Sequence, residues 1–322
     1  MRRHQSLGTI RGLGALTRAE RIRKSLLKEW HGYKYVYLMA IPMVAYYILF
    51  CYMPMYGASI AFKDYSPKLG ISGSPWVGFK HFESFFHGVY FARLFRNTIM
   101  LSLESLIFCF PAPILLAIMI NEVRQAWFKK TVQTVSYLPH FISLMVICGM
   151  ITDFTASGGV VNDILAVFGV KRQTMLLNPY LFRPVYIISD IWQGVGWGSI
   201  VYLAALTAID PTLYEAARID GAGKLQQIIH VTLPGILPTI VVMLLLKLGS
   251  MMSIGSDKIL LLYNSNTYET ADVISTYVYR MGLLKSNYSF STAVGLFNSV
   301  INFALVFGAN QLSRRVNETS LW

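Results

Sequence analysis

The side chains able to do chemistry lie in two settings: a short run around residue 220, and isolated polar residues inside long apolar blocks. Ala222-Gly223-Lys224 looks like the end of a phosphate-binding loop. Such a loop needs Gly-x-x-x-x-Gly-Lys-Ser/Thr, because backbone N–H groups must cradle the phosphates and a hydroxyl must hold magnesium. Arg218 stands at the first glycine position and Leu225 at the hydroxyl position, so no nucleotide site is expected. His4, His31, His81, His87, His140 and His230 show no metal-ligand spacing such as His-Glu-x-x-His, and there is no Gly-x-Ser-x-Gly elbow. The chain is expected to be no enzyme and to hold no cofactor or metal of its own. The remaining candidates are Glu104, Asp190 and Lys247, ionisable groups within apolar blocks. Such groups are costly there and mark either function or structural pairing.

The elements that position these residues are membrane spans. Of the 322 residues, 54% are apolar and 14% charged, and the mean hydropathy is +0.48. Soluble domains carry about 25% charged residues, so this composition excludes a disordered chain or a secreted disulfide scaffold. Cys51, Cys109 and Cys148 each fall in an apolar block, without disulfide or metal spacing. A helix needs about 20 apolar residues to cross a bilayer. Six blocks meet that length: Tyr35 to Met55, Asn97 to Ile120, Val132 to Ile151, Pro184 to Leu206, Gly235 to Ser253 and Phe290 to Leu312. Pro139 and His140 interrupt the third. The expected fold is an all-α membrane protein with six transmembrane helices.

Charge gives the orientation. The tail up to Lys34 holds nine Lys or Arg against Glu20 and Glu29; Arg124, Lys129 and Lys130 lie between spans two and three; Arg314 and Arg315 follow span six. Loops rich in Lys and Arg stay in the cytoplasm, so both termini are expected there. Much of the formal charge of +12 thus serves topology and does not point to nucleic acid. No cleavable signal peptide is visible, because the first long apolar run is itself long enough to span. Leu16, Ala19, Ile22, Leu26, Leu27 and Trp30 follow helical spacing, and Thr17 with Glu20 fits a capping box. The tail reads as a basic amphipathic helix on the inner leaflet, or as an unstructured tail serving orientation alone. The layout is then a basic tail 1–34, a membrane domain 35–312 and a short tail 313–322. Between spans five and six, Val273, Ile274, Tyr277, Val278 and Met281 keep one helical face apolar, predicting a short helix along the outer boundary or a vestibule.

The segment Thr207 to Pro234, between spans four and five, is built like a helix–turn–helix. Asp210-Pro211 gives an N-cap and a residue suited to the first helical position. Asp220-Gly221 ends that helix, Leu225, Ile228, Ile229 and Thr232 share a face of a second, and Pro234 is expected to stop it. So much apolar surface on a cytoplasmic connector marks a partner site.

Glu215-Ala216-Ala217-Arg218-Ile219-Asp220-Gly221-Ala222, continuing to Val231-Thr232-Leu233-Pro234, resembles the EAA signature of permease subunits of bacterial binding-protein-dependent ABC importers. Asp272-Val273-Ile274, Thr276-Tyr277-Val278-Tyr279-Arg280, Ser313-Arg314-Arg315 and Ser320-Leu321-Trp322 are similar to the LplB-type permeases of the carbohydrate-uptake branch. The resemblance implies a coupling helix seated in a groove of a cytoplasmic ATPase, with Glu215, Ala216, Ala217, Asp220, Gly221, Ala222, Leu233 and Pro234 forming the coupling element. It implies ATP and magnesium on a partner ATPase dimer, a second homologous permease, an extracytoplasmic solute-binding protein and a saccharide cargo, in the bacterial cytoplasmic membrane. Small residues at Ala216 and Ala217 suit close approach of another surface.

Saccharides are held by aromatic faces against C–H surfaces and by amides or carboxylates on hydroxyls. The fourth span supplies Asp190, Trp192, Gln193 and Trp197, and the sixth supplies Asn298 and Asn302 on one face. These six are the candidate substrate path; hydrogen bonding between spans accounts for the two asparagines equally well. Gly194, Gly196 and Gly198 permit either close packing or a helix break. A proton-coupled secondary transporter is the alternative, in which Glu104 and Asp190 would carry protons without an ATPase.

Overall fold

A computed structural model describes residues 33–317. The expected amphipathic helix over residues 16–30 and the last five residues lie outside them. The chain divides into two compact units, Met1–Ser59 and Ile60–Trp322. Among the described residues the regular structure is helical, with one isolated bridge between Lys63 and Trp76. Five helical stretches are long and apolar enough to cross a membrane: α1 (Tyr33–Phe62), α2 (Phe91–Glu122), Leu144–Val167, Lys224–Gly249 and Tyr288–Arg315.

The predicted third span, Val132 to Ile151, does not form one helix. Its first half belongs to α3 (Ala126–Tyr137), a short 3-10 turn covers Leu138–Phe141, and α4 (Leu144–Thr155) begins afresh with the Ser143 hydroxyl capping Val146 N–H. Pro139 lacks an N–H and cannot continue a helix, which is why the break falls there. The stretch long and apolar enough to cross is instead α4 with α5 (Val160–Val167), joined by the turn at Gly158-Gly159. The fourth block lies within α6 (Pro179–Thr207), whose 29 residues reach about 44 Å. Asn178 caps it by accepting from Tyr180 N–H at 3.0 Å. It is not among the five stretches above, and it carries Arg183, Asp190 and Gln193.

Pro234 does not stop the second connector helix. After α7 (Pro211–Ile219), one helix, α8, runs from Lys224 to Gly249 through a π-turn at Ile228–Thr232. The same device recurs: π-turns at Tyr47–Tyr52 and Ser105–Cys109 precede Pro54 and Pro111. In each case the residue before the proline donates its N–H five residues back, Met53 to Ile48, Phe110 to Ser105 and Leu233 to Ile228. The wider turn draws the backbone away from the proline ring, so the helix passes through where it would otherwise break.

Three apolar clusters hold the second unit together. One joins Leu101, Ile147, Phe182, Tyr186, Ile259 and Val273; the next gathers Phe85, Leu94, Ile274, Phe290 and Val294; the third joins Ile114, Ala117, Tyr202, Leu206 and Ile236. Within lipid such clusters gain little from the hydrophobic effect, so close packing and polar bonds between helices carry more of the association. Gly196 shows the first. A side chain there would run into the Ser136 backbone, so α6 and α3 touch at their main chains, and α6 stays unbroken across all three of its glycines.

The polar bonds concentrate at the 267–280 segment. Arg183 reaches Asn97 Oδ1 at 2.9 Å, the Thr270 carbonyl at 3.2 Å and Glu104 at 3.6 Å. Asn97 donates to the carbonyls of Glu269 and Asp272. The fully buried Asp272 carboxylate accepts from Arg280 at 2.6 Å and lies 3.6 Å from Arg93. The predicted short helix is present as Ile274–Tyr279, and its apolar face packs inward on the second cluster. The last helix extends from Tyr288 to Asn317, past the predicted end of span six.

Candidate functional site

The connector between α6 and α8 is ordered by its own local bonds. Asp210 caps α7, its carboxylate accepting from Thr212 N–H at 2.9 Å. Hydrogen bonds from the Thr212 backbone and hydroxyl hold the Asp210 carboxyl below its ordinary pKa. At the other end Gly221 takes φ of +77°, and Ala222 N–H reaches back to the Ala217 carbonyl at 2.8 Å while Gly221 N–H bonds that of Arg218. This pairing closes the helix as a Schellman motif, which needs a left-handed residue after the cap. The Gln226 side chain accepts from Gly223 N–H, and Gln227 donates to the Ala222 carbonyl.

Ties to the spans fix this unit in place. Lys224 pairs with Glu122 at the end of α2, Tyr214 bonds Thr232 at 3.1 Å, and Gly235 sits against the Ile209 side chain. The unit nevertheless leaves apolar side chains uncovered: Ile219 is 86% and Leu225 70% exposed. Glu215, Ala216, Asp220 and Gly221 are exposed beside them, Ala217 and Ala222 half-buried. Leu233 and Pro234 lie within α8, behind the π-turn. What results is an exposed surface with a carboxylate, small residues and uncovered apolar side chains.

The six residues of the candidate path do not converge on one point. Asp190 and Gln193 line a cavity of about 340 Å³ with Tyr186, Ser253, Gly255, Ser256, Asp257 and Lys258. A second polar cavity of about 170 Å³ shares Tyr186, Asp190, Ser253 and Gly255 and adds Ser102, Ser105 and Lys247. Asn298 and Asn302 both donate to the Ser253 hydroxyl, at 3.2 and 3.1 Å, and Asn302 accepts from Met252 N–H. They set the Ser253 hydroxyl that lines both cavities. Trp192 lines a separate, mainly apolar cavity of about 640 Å³ between α4, α5 and α6. Trp197 stacks face to face on His140, with ring centroids 4.4 Å apart, and Phe141 meets it edge-on. Asp190, Gln193 and Trp197 share a face of α6, and Trp192 faces away from them.

Sequence reading missed Lys258. It belongs to the short helix Ser256–Leu262, and its ammonium lies 3.4 Å from Asp190, 68 residues away in the chain. Gly255, at φ of +43°, brings the backbone against the Tyr186 hydroxyl where no side chain would fit, and so delivers Lys258 to α6. Gly255-Ser256-Asp257 is a helix-start signal, but nothing in it names Asp190 as the destination. The two carboxylates singled out within apolar blocks are thus ion-paired, Glu104 with Arg183 and Asp190 with Lys258.

A sequence profile for binding-protein-dependent transport system inner membrane components matches residues 110–318, a stretch that contains the connector and the residues lining the larger polar cavity. The chain belongs to this family. It is thus a multi-pass transport component of the inner membrane. Among relatives of this permease, it is 46% identical to the polygalacturonan/rhamnogalacturonan transport system permease protein YteP of Bacillus subtilis, over 93% of this chain and 94% of that one. It is 44% identical to protein LplB of the same organism, over 90% and 91% of the two chains. A chain of a bacterial alginate ABC transporter, solved in complex with alginate pentasaccharide-bound periplasmic protein, superposes with a TM-score of 0.86 at 45% identity, covering 94% of the permease and 100% of that chain.

Proposed function

We infer that this chain is a transmembrane permease subunit of an ATP-driven importer that moves an oligosaccharide or polysaccharide fragment across the cytoplasmic membrane by alternating access. The observation that carries the reading is the 46% identity, over 93% of the chain, to a permease named for polygalacturonan and rhamnogalacturonan transport. That relative is named for polygalacturonan and rhamnogalacturonan transport, and the alginate transporter is described as importing an acidic polysaccharide, so the cargo proposed here is an acidic saccharide. The partners are a second homologous permease, an ATPase dimer carrying ATP and magnesium, and an extracytoplasmic solute-binding protein. The chain crosses the membrane six times, α6 supplying the crossing that its polar residues disguise. Both termini are cytoplasmic, with a basic tail 1–34 and a short tail 313–322. The Lys and Arg flanking the spans support this orientation.

Glu215, Ala216, Ala217, Asp220, Gly221 and Ala222 form the surface that docks on the ATPase, with Leu233 and Pro234 joining it to α8. Exposed Ile219 and Leu225 support that role, as do the bonds that tie the connector to α2 and α8. A rigid connector transmits ATPase closure as movement of the spans. The solute path runs along α6 from Asp190 through Gln193 to Trp197, with Asn298 and Asn302 holding Ser253 at its side; Trp192, on the opposite face, lines the separate apolar cavity and is left out of the path. The purified complex should hydrolyse ATP faster when cargo-loaded binding protein is added, and the isolated chain should hydrolyse none. Hydrolysis by the rigorously purified single chain overturns the reading.

A further inference from the structure

Lys258 is a buried cation with too few partners. Its side chain is 5% exposed, yet it lines the cavity of about 340 Å³. An ammonium carries three N–H donors. Among the described residues its one hydrogen bond is to Asp190 at 3.4 Å, a long contact, and the face of Tyr186 lies 5.3 Å away. Taking such a pair out of water is costly, and a pair this loosely made returns little of that cost. A buried charge left part-satisfied beside a polar cavity marks ligand binding.

Surrounding charge gives the ligand its sign. Asp190 borders both cavities, with Lys258 lining the larger and Lys247 the smaller. Asp257 is at the exposed rim of the larger one, within 3.5 Å of the Ser256 hydroxyl, where water screens it. The interior therefore holds two ammonium groups against one carboxylate. Around them, Gln193, Ser253 and Ser256 supply the amide and hydroxyl groups that bind sugar hydroxyls.

We propose that Lys258 is the specificity-determining cation of the solute path, held by Asp190 until a uronate carboxylate of the passing saccharide takes a place on its ammonium. Asp190 then remains compensated by Lys247. A carboxylate–ammonium hydrogen bond forms and no covalent bond changes. The proposal rests on the acidic-saccharide reading above and names the residue that enforces it.

The test is a cycle between side chain and substrate charge. Uptake of labelled trigalacturonate and of its methyl ester is measured in the complete importer with wild-type chain, K258R and K258Q. The binding protein's own preference is the same in all three, so it cancels when their ratios are compared. Wild type and K258R should favour the acid over the ester by about tenfold more than K258Q does, the scale of one charge-assisted hydrogen bond. An acid-to-ester ratio unchanged in K258Q overturns the proposal. If K258Q does not assemble, D190N/K258M, which removes both charges of the pair, carries the same comparison. A wild-type importer that takes up no trigalacturonate removes the acidic-saccharide reading, and this proposal with it.

Discussion

The connector at Pro211–Gln227 and the polar cavities at Asp190 solve the same problem, that of presenting polar groups on an apolar protein, in opposite ways. The connector is made of neighbours in sequence. Its caps, its left-handed glycine and its side-chain-to-backbone bonds all close within five residues. The cavities are made of strangers: Lys258 meets Asp190 across 68 residues, and Asn302 meets Met252 across 50. Damage should therefore appear in different places. A change in the connector should alter coupling and leave the membrane domain standing. A change in the cavity should alter the domain itself, because each partner there belongs to a different helix.

The sharpest break is Gly221→Val. No neighbouring side chain crowds the position, so the penalty comes from φ of +77°, roughly 1–2 kcal/mol and more for a β-branched residue. Uptake and cargo-stimulated ATP hydrolysis should be abolished while the amount of inserted chain stays at wild-type level; lower insertion would show that the connector also holds the spans. Glu215→Lys keeps the helix and reverses an exposed charge, and should cut uptake by roughly tenfold or more, the scale of a lost charge-assisted bond. Restoration by a compensating acid on the ATPase would sharpen the assignment.

In the cavity the order of effects is reversed. Asp190→Asn strands a 95%-buried ammonium and should lower the stability of the purified complex by about 3 kcal/mol, with D190N/K258M recovering most of it. Equal losses in single and double variants would show that the pair is not coupled. Asn302→Leu removes the amide that bonds Met252 N–H and the Ser253 hydroxyl and should cost about 1 kcal/mol, read as a modest fall in melting temperature. Least of all should be the effect of acid on the Asp210 cap. Because its folded pKa is depressed, the cap contributes at neutral pH and is lost as pH falls through that lowered value, below the 3.8 of an ordinary aspartate. Amide exchange in the first turn of α7 should rise there, with no change in α6.

The same division explains what the sequence could reveal. Asp210-Pro211 and Asp220-Gly221 encode caps by local chemistry, so α7 was legible to the residue. Pro234 misled, because a proline alone reads as a stop, whereas the π-turn that carries α8 past it depends on backbone geometry that no residue type announces. Pro139 did break its block, and the crossing shifted to Leu144–Val167, where apolar residues resume beyond it. Asp190 and Gln193 stood out as polar residues at membrane depth. Lys258 did not, since in sequence it is an ordinary loop lysine, and only the left-handed turn at Gly255 brings it inward. Trp192 is a candidate by residue type, as an aromatic face for a sugar, but successive helical residues point about 100° apart and its neighbour Gln193 takes the polar side.

ATP hydrolysed on a separate subunit drives this permease. Labelled trigalacturonate uptake into proteoliposomes tests it, using this chain, its partner permease, the ATPase dimer and the solute-binding protein. Uptake should require ATP on the ATPase side, persist in the presence of a protonophore, and vanish when the ATPase is omitted. Uptake that survives without the ATPase and collapses with the protonophore would contradict the account and make Glu104 and Asp190 the proton carriers of a secondary transporter.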